Sequence, residues 1–269
     1  MLVFIIIILA VFFGFALWSK FFKIPKMNNM VLVTGGVKSG KSTFSFHLAY
    51  SKFKQNRRAV RFRNFLAKIF SKPLMEEPKF YTTIPVAVPH VLLTRDLLMR
   101  EHRFAYKSVI WVDEASILCD SMSYKDLDVN DRLLLFNKLI AHETKGGAIV
   151  YNTQSVSDLH YSVKRCVNEV MYVRDTFKWL PFFLVCIVRE ERYSEDGSVS
   201  SVYDDDVEKT LRKVIIPKSV WKKFDCYAYS SMTDDKPLYD KEVRATSLKA
   251  KGILSFNERH NLKIDEDEE

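Results

Sequence analysis

The chain has 269 residues, 48% of them hydrophobic, enough for one sizeable α/β domain with small additions and too apolar for a mostly disordered protein. Its formal net charge of +8 favours an anionic partner, such as nucleic acid or an acidic membrane surface; most of the excess lies between Lys20 and Lys107, while Asp265 to Glu269 are acidic. The four cysteines (Cys119, Cys166, Cys186, Cys226) are scattered with no C-x-x-C pair, and read as reduced, mostly buried thiols of a cytosolic domain with no metal site.

Leu2 to Trp18 is an uncharged run, LVFIIIILAVFFGFALW. As a helix it would be about 26 Å long, just short of a ~30 Å hydrocarbon core. Phe21 and Phe22 extend it, and Lys20, Lys23 and Lys26 are placed to snorkel. The expectation is a single-pass transmembrane anchor over residues 1–22. Its lysines lie on the C-terminal side, so the positive-inside rule puts everything after Lys20 in the cytoplasm. A cleaved signal peptide and a buried core helix are the rival readings.

After a short linker, Ile24 to Asn29, the apolar run Met30-Val31-Leu32-Val33 leads into Gly35 to Ser42, which spell G-x-x-x-x-G-K-S, and then into a helix-compatible segment, Thr43 to Lys54. Strand, tight glycine turn and helix in that order are the context a P-loop requires. Gly35 and Gly40 let the backbone curl so that successive N–H groups point at phosphate oxygens, and the helix N-terminus adds its partial positive charge. Gly35, Gly36, Val37, Lys38, Ser39, Gly40, Lys41, Ser42 and Thr43 are therefore the expected nucleotide-binding residues. Lys41 would reach the β- and γ-phosphates of ATP, and the Ser42 hydroxyl would bind Mg²⁺.

Asn56 to Pro78 is basic and aromatic. Arg61 and Arg63 alternate with Val60, Phe62 and Phe65, and Leu66, Ile69 and Phe70 suggest an amphipathic turn or two. Contact with nucleic-acid phosphates or anionic lipid heads and a merely solvated basic face stand as equal readings. Phe80 to Val88 reads as a strand ending near Pro85, and Thr94 to His102 as a helix. Ser108 to Val112 reads as a central parallel strand that delivers Asp113 and Glu114 at the carboxyl edge of the sheet. There Asp113 would hold Mg²⁺ through water, as in a Walker B element, and Glu114 would orient and deprotonate the attacking water.

Asn130 to Glu143 reads as a helix, broken by Gly146-Gly147. Ala148 to Tyr151 is a further buried strand, ending in Asn152-Thr153-Gln154; Gln154 is a candidate sensor of the γ-phosphate, the alternative being a polar strand end that satisfies loop backbone groups. Lys164, Arg165 and Arg174 are candidates for an arginine finger acting across a subunit boundary. Trp179 to Val188 is too short to span a membrane. Ser194 to Gly197 reads as the turn of a hairpin whose returning strand is Ser198 to Tyr203. The expected organisation is an anchor over 1–22, a core over 27–178, a β-hairpin part over 179–235 and a polar, acidic tail over 236–269.

Four stretches, Val31 to Ser42, Tyr81 to Val86, Val109 to Ser116 and Ala148 to Ser155, with a weaker fifth from Trp221 to Tyr229, make the chain resemble the zonular occludens toxin family, which includes the filamentous-phage assembly ATPase, within the FtsK–HerA group of P-loop motors. The resemblance covers roughly residues 30 to 230. It implies an α/β P-loop NTPase fold with a doubly wound, mainly parallel sheet and a small β-rich C-terminal addition. It also implies an inner-membrane, oligomeric ATPase that drives virion assembly and export of single-stranded DNA, with coat and assembly proteins as partners. Carried onto this sequence, Lys41 and Ser42 bind nucleotide and Mg²⁺, Asp113 and Glu114 form Walker B, and Gln154 is the sensor. The best-known members place a membrane span after the ATPase domain, whereas here the apolar run precedes it. A double-stranded DNA packaging or conjugative coupling ATPase, and a nucleotide-gated membrane adaptor with little turnover, are the alternatives.

Overall fold

The structure is a computed structural model, and it describes residues 27, 29–93, 104–118, 136–138, 144, 146–156, 159, 161–164, 166–167, 169–193, 199–200 and 211–224. The sheet grows from β1 (Met30–Gly35), every residue of which is buried. Alternation along β1 splits it between two cores: Val31 and Val33 face one, Met30 and Leu32 the other. The same division holds in β4 (Val109–Val112), where Val109 and Trp111 oppose Ile110 and Val112, and in β5 (Ala148–Asn152), where Val150 opposes Ile149 and Tyr151. Strands apolar on both faces belong in a parallel sheet covered on both sides.

The strand order is β3-β2-β4-β5-β1-β6-β7-β8, with β9 also pairing β7. Here β2 is Phe80–Thr82, β3 Val91–Leu92, β6 Glu169–Leu180, β7 Phe183–Tyr193, β8 Val199–Ser200 and β9 Leu211–Pro217. From β3 to β6 all pairs are parallel; β7 turns antiparallel to β6, β8 and β9. Strand β5 lies between β1 and β4, so the loop after β1 and the acids after β4 stand two strands apart on the same carboxyl edge.

One face is covered by α1 (Lys41–Ile69). Its Phe44, Phe46, Leu48, Ala49 and Phe53 enter the first core. The Phe46 ring lies edge-on to Trp111 at 5.0 Å and tilted against Phe224 at 4.9 Å, centroid to centroid. Phe224 is brought there by the short α4 (Lys218–Trp221) and by an antiparallel bridge to Val86. The other face is closed by Phe104, Leu159 and Val163 together with α2 (Ala115–Leu118) and α3 (Tyr161–Lys164).

Three expectations change. The helix expected to end at Lys54 runs on to Ile69, because the chain has no glycine or proline between Gly40 and Pro73 to stop it; the amphipathic turns of the basic stretch are its continuation. The run Trp179 to Val188 is not one element: it straddles the β6–β7 turn at Pro181-Phe182. The β-rich C-terminal part begins before residue 179, since β6 already runs from Glu169 to Leu180, and β6, β7 and β9 continue the same sheet as the core. The returning strand after the Ser194 to Gly197 turn is present as β8 against β7. The Thr94 to His102 helix, most of the Asn130 to Glu143 helix, the anchor over 1–22 and the acidic tail lie outside the described residues. Among the described residues no helix is long and apolar enough to cross a membrane.

Two buried histidines set an acid limit. Burial holds His47, on α1, and His90, before β3, down at about 4, against 6.5 for a free imidazole. Between those values the unfolded chain takes up protons that the folded chain refuses, so this contribution is complete above 6.5 and is lost on acidification toward 4. Buried Asp113, pushed up to about 6, acts in the opposite sense, so the effect is read by difference. The His90 Nδ1 lies 2.8 Å from the Val88 carbonyl, and an asparagine amide can supply that donor. The variant His90→Asn is expected to flatten the rise of unfolding free energy with pH by about 1.4 kcal/mol per pH unit inside the window. Denaturant titrations at several pH values check it; parallel curves for parent and variant would refute it.

Candidate functional site

The loop between β1 and α1 curls through two left-handed residues, Lys38 (φ 61°) and Gly40 (φ 87°). Ser39 N–H donates to the Gly36 carbonyl at 3.2 Å, and Phe44 N–H to the Gly40 carbonyl at 3.0 Å. Val37, 74% exposed, is the tip, with Gly36 and Lys38 exposed on either side of it. Helix α1 starts at Lys41 with no side-chain cap and no acid in its first turn, so its N-terminal amides and their positive field remain directed at the loop. Thr43, half-buried, lies in that first turn.

Strand β6 braces this loop from the side. The Thr176 hydroxyl donates to the Ser39 carbonyl at 2.6 Å, and a Cβ added at Gly40 would stand 2.7 Å from the Thr176 Cβ. Gly35 is equally confined: a Cβ there would meet both Ser39 Oγ and the Val173 carbonyl at 2.7 Å. Gly40 therefore combines a left-handed backbone with no room for a methyl group. Replacing it by alanine is expected to distort the loop, cost about 2 kcal/mol or more of stability, and weaken ATP binding at least tenfold. Thermal unfolding and nucleotide titration test this; parent-like affinity would contradict it.

Lys41 is buried, with 7% of its surface exposed, directly under the loop. From the next position, Ser42 Oγ accepts a hydrogen bond from Asn152 Nδ2 at 2.9 Å, and Asn152 Nδ2 also donates to Asp113 Oδ1. The end of β5 thus ties the loop's hydroxyl to the acid at the end of β4. Asp113 is 5% exposed; burial pushes its carboxyl up to about 6, neighbouring Glu114 adds to this, and Asn152, Ser42 and the Lys41 ammonium pull the other way. Its backbone N–H donates to Thr83 Oγ1 at 3.0 Å, so the residue after β2 fixes the turn after β4. Glu114 is partly exposed and has φ 52°, a left-handed conformation that turns the chain from β4 into α2 and that a non-glycine residue holds only under strain.

The structure therefore brings together the loop, Lys41, Ser42, Asp113 and Glu114. Gln154 is exposed, and its side chain makes no hydrogen bond among the described residues. The side chain between Ser42 and Asp113 is Asn152. Strand alternation could have singled it out: it shares the face of Val150, which packs against α1, whereas Tyr151 points to the other core. Nothing local could have found Thr176, which lies on a strand more than a hundred residues from the loop. Of the finger candidates, Arg174 is exposed and 3.5 Å from Asp175, Lys164 ends α3, and Arg165 lies outside the described residues.

Asn152 Oδ1 at the end of β5 and Ser39 Oγ in the loop are buried without a hydrogen-bond partner among the described residues. Beside the Asn152 amide stand the Ser42 hydroxyl and the Asp113 carboxylate, an all-oxygen pair that suits a hard divalent cation such as Mg²⁺. Among the described residues no group of three or more His, Cys, Asp or Glu side chains could hold a metal ion unaided. A cation here would share its coordination with phosphate oxygens, as Mg²⁺ commonly does.

No family model matches the chain, and no curated protein matches it. Among solved structures it is similar to the N-terminal domain of zonular occludens toxin from Neisseria meningitidis, with a TM-score of 0.43 and 15% identity over 74% of this chain and 100% of that one. It is similar also to the genome packaging NTPase B204 from Sulfolobus turreted icosahedral virus 2 in complex with ATP-gammaS, with a TM-score of 0.32 and 11% identity over 70% of this chain and 98% of that one. The flagellar accessory protein FlaH from Methanocaldococcus jannaschii gives a TM-score of 0.35 and 15% identity over 71% and 87%. With these scores all below 0.5, the mixed α/β sheet and its phosphate-type loop are established by the chain's own strand order and loop geometry.

Proposed function

We propose that the chain is a membrane-anchored P-loop ATPase of the zonular occludens toxin type, which couples ATP hydrolysis to filamentous phage assembly and the export of single-stranded DNA. The observation that carries the ATPase reading is the Asn152 amide joining Ser42, at the start of α1, to Asp113, after β4, at one sheet edge. In this reading residues Gly35 to Thr43 cradle the triphosphate, and Lys41 neutralises charge on its β- and γ-phosphates. Ser42 Oγ, and the Asp113 carboxylate through water, would hold Mg²⁺, which when bound would withdraw charge from the phosphate oxygens. The Glu114 carboxylate takes a proton from water as the water oxygen bonds to the γ-phosphorus and the bond to the ADP oxygen breaks. Gln154, exposed at the rim, senses the γ-phosphate from the loop after β5.

The anchor over residues 1–22 holds the domain on the cytoplasmic side of the inner membrane as a homo-oligomer, with coat and assembly proteins as partners, and Lys164, Arg165 or Arg174 reaches the neighbouring subunit's nucleotide. The experiment is Mg²⁺-dependent ATP turnover by the full chain, with and without single-stranded DNA. Turnover that single-stranded DNA raises supports a motor. Turnover that only double-stranded DNA raises points to packaging or coupling instead. Tight ATP binding without turnover overturns the motor reading in favour of a nucleotide-gated adaptor.

A further inference from the structure

Helix α1 is longer than the sheet it crosses. Its first turn is pinned at the carboxyl edge, where Ser42 meets Asn152. By Asn56, whose Nδ2 donates to the Lys107 carbonyl at 2.8 Å just ahead of β4, it has reached the opposite edge. Thirteen further residues carry it to Ile69, about 20 Å beyond the sheet. The chain enters the body at this same edge, since the Asn29 carbonyl accepts from Ile149 N–H at 2.7 Å beside the start of β1.

The overhang is held from one side. Val60 is buried, Asn64 exchanges two hydrogen bonds with the Met75 backbone at 2.8 and 2.9 Å, and Arg57 and Arg61 share Glu77 at 3.1 and 3.0 Å. Its other side is apolar and bare. Phe62, Phe65, Leu66 and Ile69 follow the i, i+3, i+4, i+7 spacing of a single stripe, and the stripe runs on into Phe70 and Leu74; all six are 38–67% exposed. Arg58, Arg63, Lys68 and Lys72 are exposed around it and have no acidic partner among the described residues, with Arg63 and Lys68 on opposite flanks of the stripe.

We propose that this overhang is an interfacial foot that docks on the anionic phospholipid leaflet, laying its apolar stripe among the acyl chains and its cations among the headgroups, with the nucleotide loop on the side facing away from the bilayer. An apolar stripe bordered by cations is the chemistry of a helix that lies in a membrane surface. Nucleic acid fits less well, because the exposed rings of Phe62, Phe65 and Phe70 are interrupted by Leu66, Ile69 and Leu74, which give successive bases no continuous stacking platform. A second copy fits less well too, because a self-complementary contact would set these unpaired cations against their own images. Only the orientation of the foot rests on the anchor proposed above. If Trp18 ends a span, the eleven residues to Asn29 reach at most about 40 Å, which keeps the foot close to the surface.

The test places a photoreactive benzoylphenylalanine at Phe65 of the full chain, in nanodiscs of phosphatidylcholine alone or with one-third phosphatidylglycerol. The expected product is a lipid adduct on that residue, about fivefold more abundant with phosphatidylglycerol and reduced roughly tenfold by Arg63→Glu with Lys68→Glu. The same probe at Val37, on the opposite edge, should give none. Crosslinking at Phe65 to a second copy or to added single-stranded DNA, or no adduct while the chain stays in the disc, overturns the foot and leaves the anchor standing. Equal lipid adducts at Val37 and Phe65 overturn the orientation. A chain that fails to enter neutral discs refutes the anchor alone; sedimentation with phosphatidylglycerol vesicles then decides the foot, which falls if the double charge reversal does not weaken binding.

Discussion

The chain carrying Glu114→Gln will bind ATP within a fewfold of the parent and hydrolyse it at least about 100-fold more slowly. Glutamine keeps the size and hydrogen-bonding reach of glutamate and loses the basicity, so the difference isolates proton abstraction. The backbone favours a clean comparison. Glu114 holds its left-handed φ of 52° in the turn from β4 to α2, a constraint on the main chain that either side chain meets equally. The neighbouring acid is affected in one direction: Glu114 helps to push Asp113 up toward about 6, so removing its charge favours ionised Asp113. Single-turnover hydrolysis alongside equilibrium nucleotide binding reads the two effects separately. Parent-like turnover would remove Glu114 from the chemistry, whatever happened to binding.

The second large effect is on affinity. Lys41→Ala is expected to weaken ATP binding by about 100-fold, or roughly 3 kcal/mol, the loss of a buried charge-assisted contact to phosphate. Folding should survive. Lys41 is buried with no carboxylate at ion-pair distance among the described residues, so its deletion removes a desolvated charge along with its attraction to Asp113. Unfolding temperature without nucleotide should therefore stay close to that of the parent, while the rise that saturating Mg-ATP gives the parent, several degrees for a domain of this size, should disappear. A variant that still gains that rise would place the phosphates elsewhere.

These two predictions rest on residues that were legible at once, and the reason is local. The Gly35 to Ser42 loop is a curl of consecutive residues, so its sequence carries its own conformational demands. Asp113 and Glu114 were legible because a run of β-branched and aromatic residues ends in them. Asn152 is only half legible: the pattern predicts the strand that carries it, but Gln154, two residues on, is the longer amide and fits a sensor's task from sequence alone. The alternation of β5 places Asn152 on the α1 side, and only the pairing of β5 between β1 and β4 puts that side chain against both Ser42 and Asp113.

By itself the sequence determined the order of strand, loop and helix, the parallel character of strands apolar on both faces, and the residue types gathered at the β1–α1 loop and after β4. Each follows from steric and hydrophobic rules acting over a few neighbouring residues. The tertiary structure alone decided the rest. It made Thr176 the brace of the β1–α1 loop, merged the late hairpins into the same sheet, and carried α1 past the sheet edge to leave Phe62, Phe65 and Ile69 bare. Those outcomes depend on which distant strands pair and where the body stops beneath a helix, and no window of neighbouring residues contains that information.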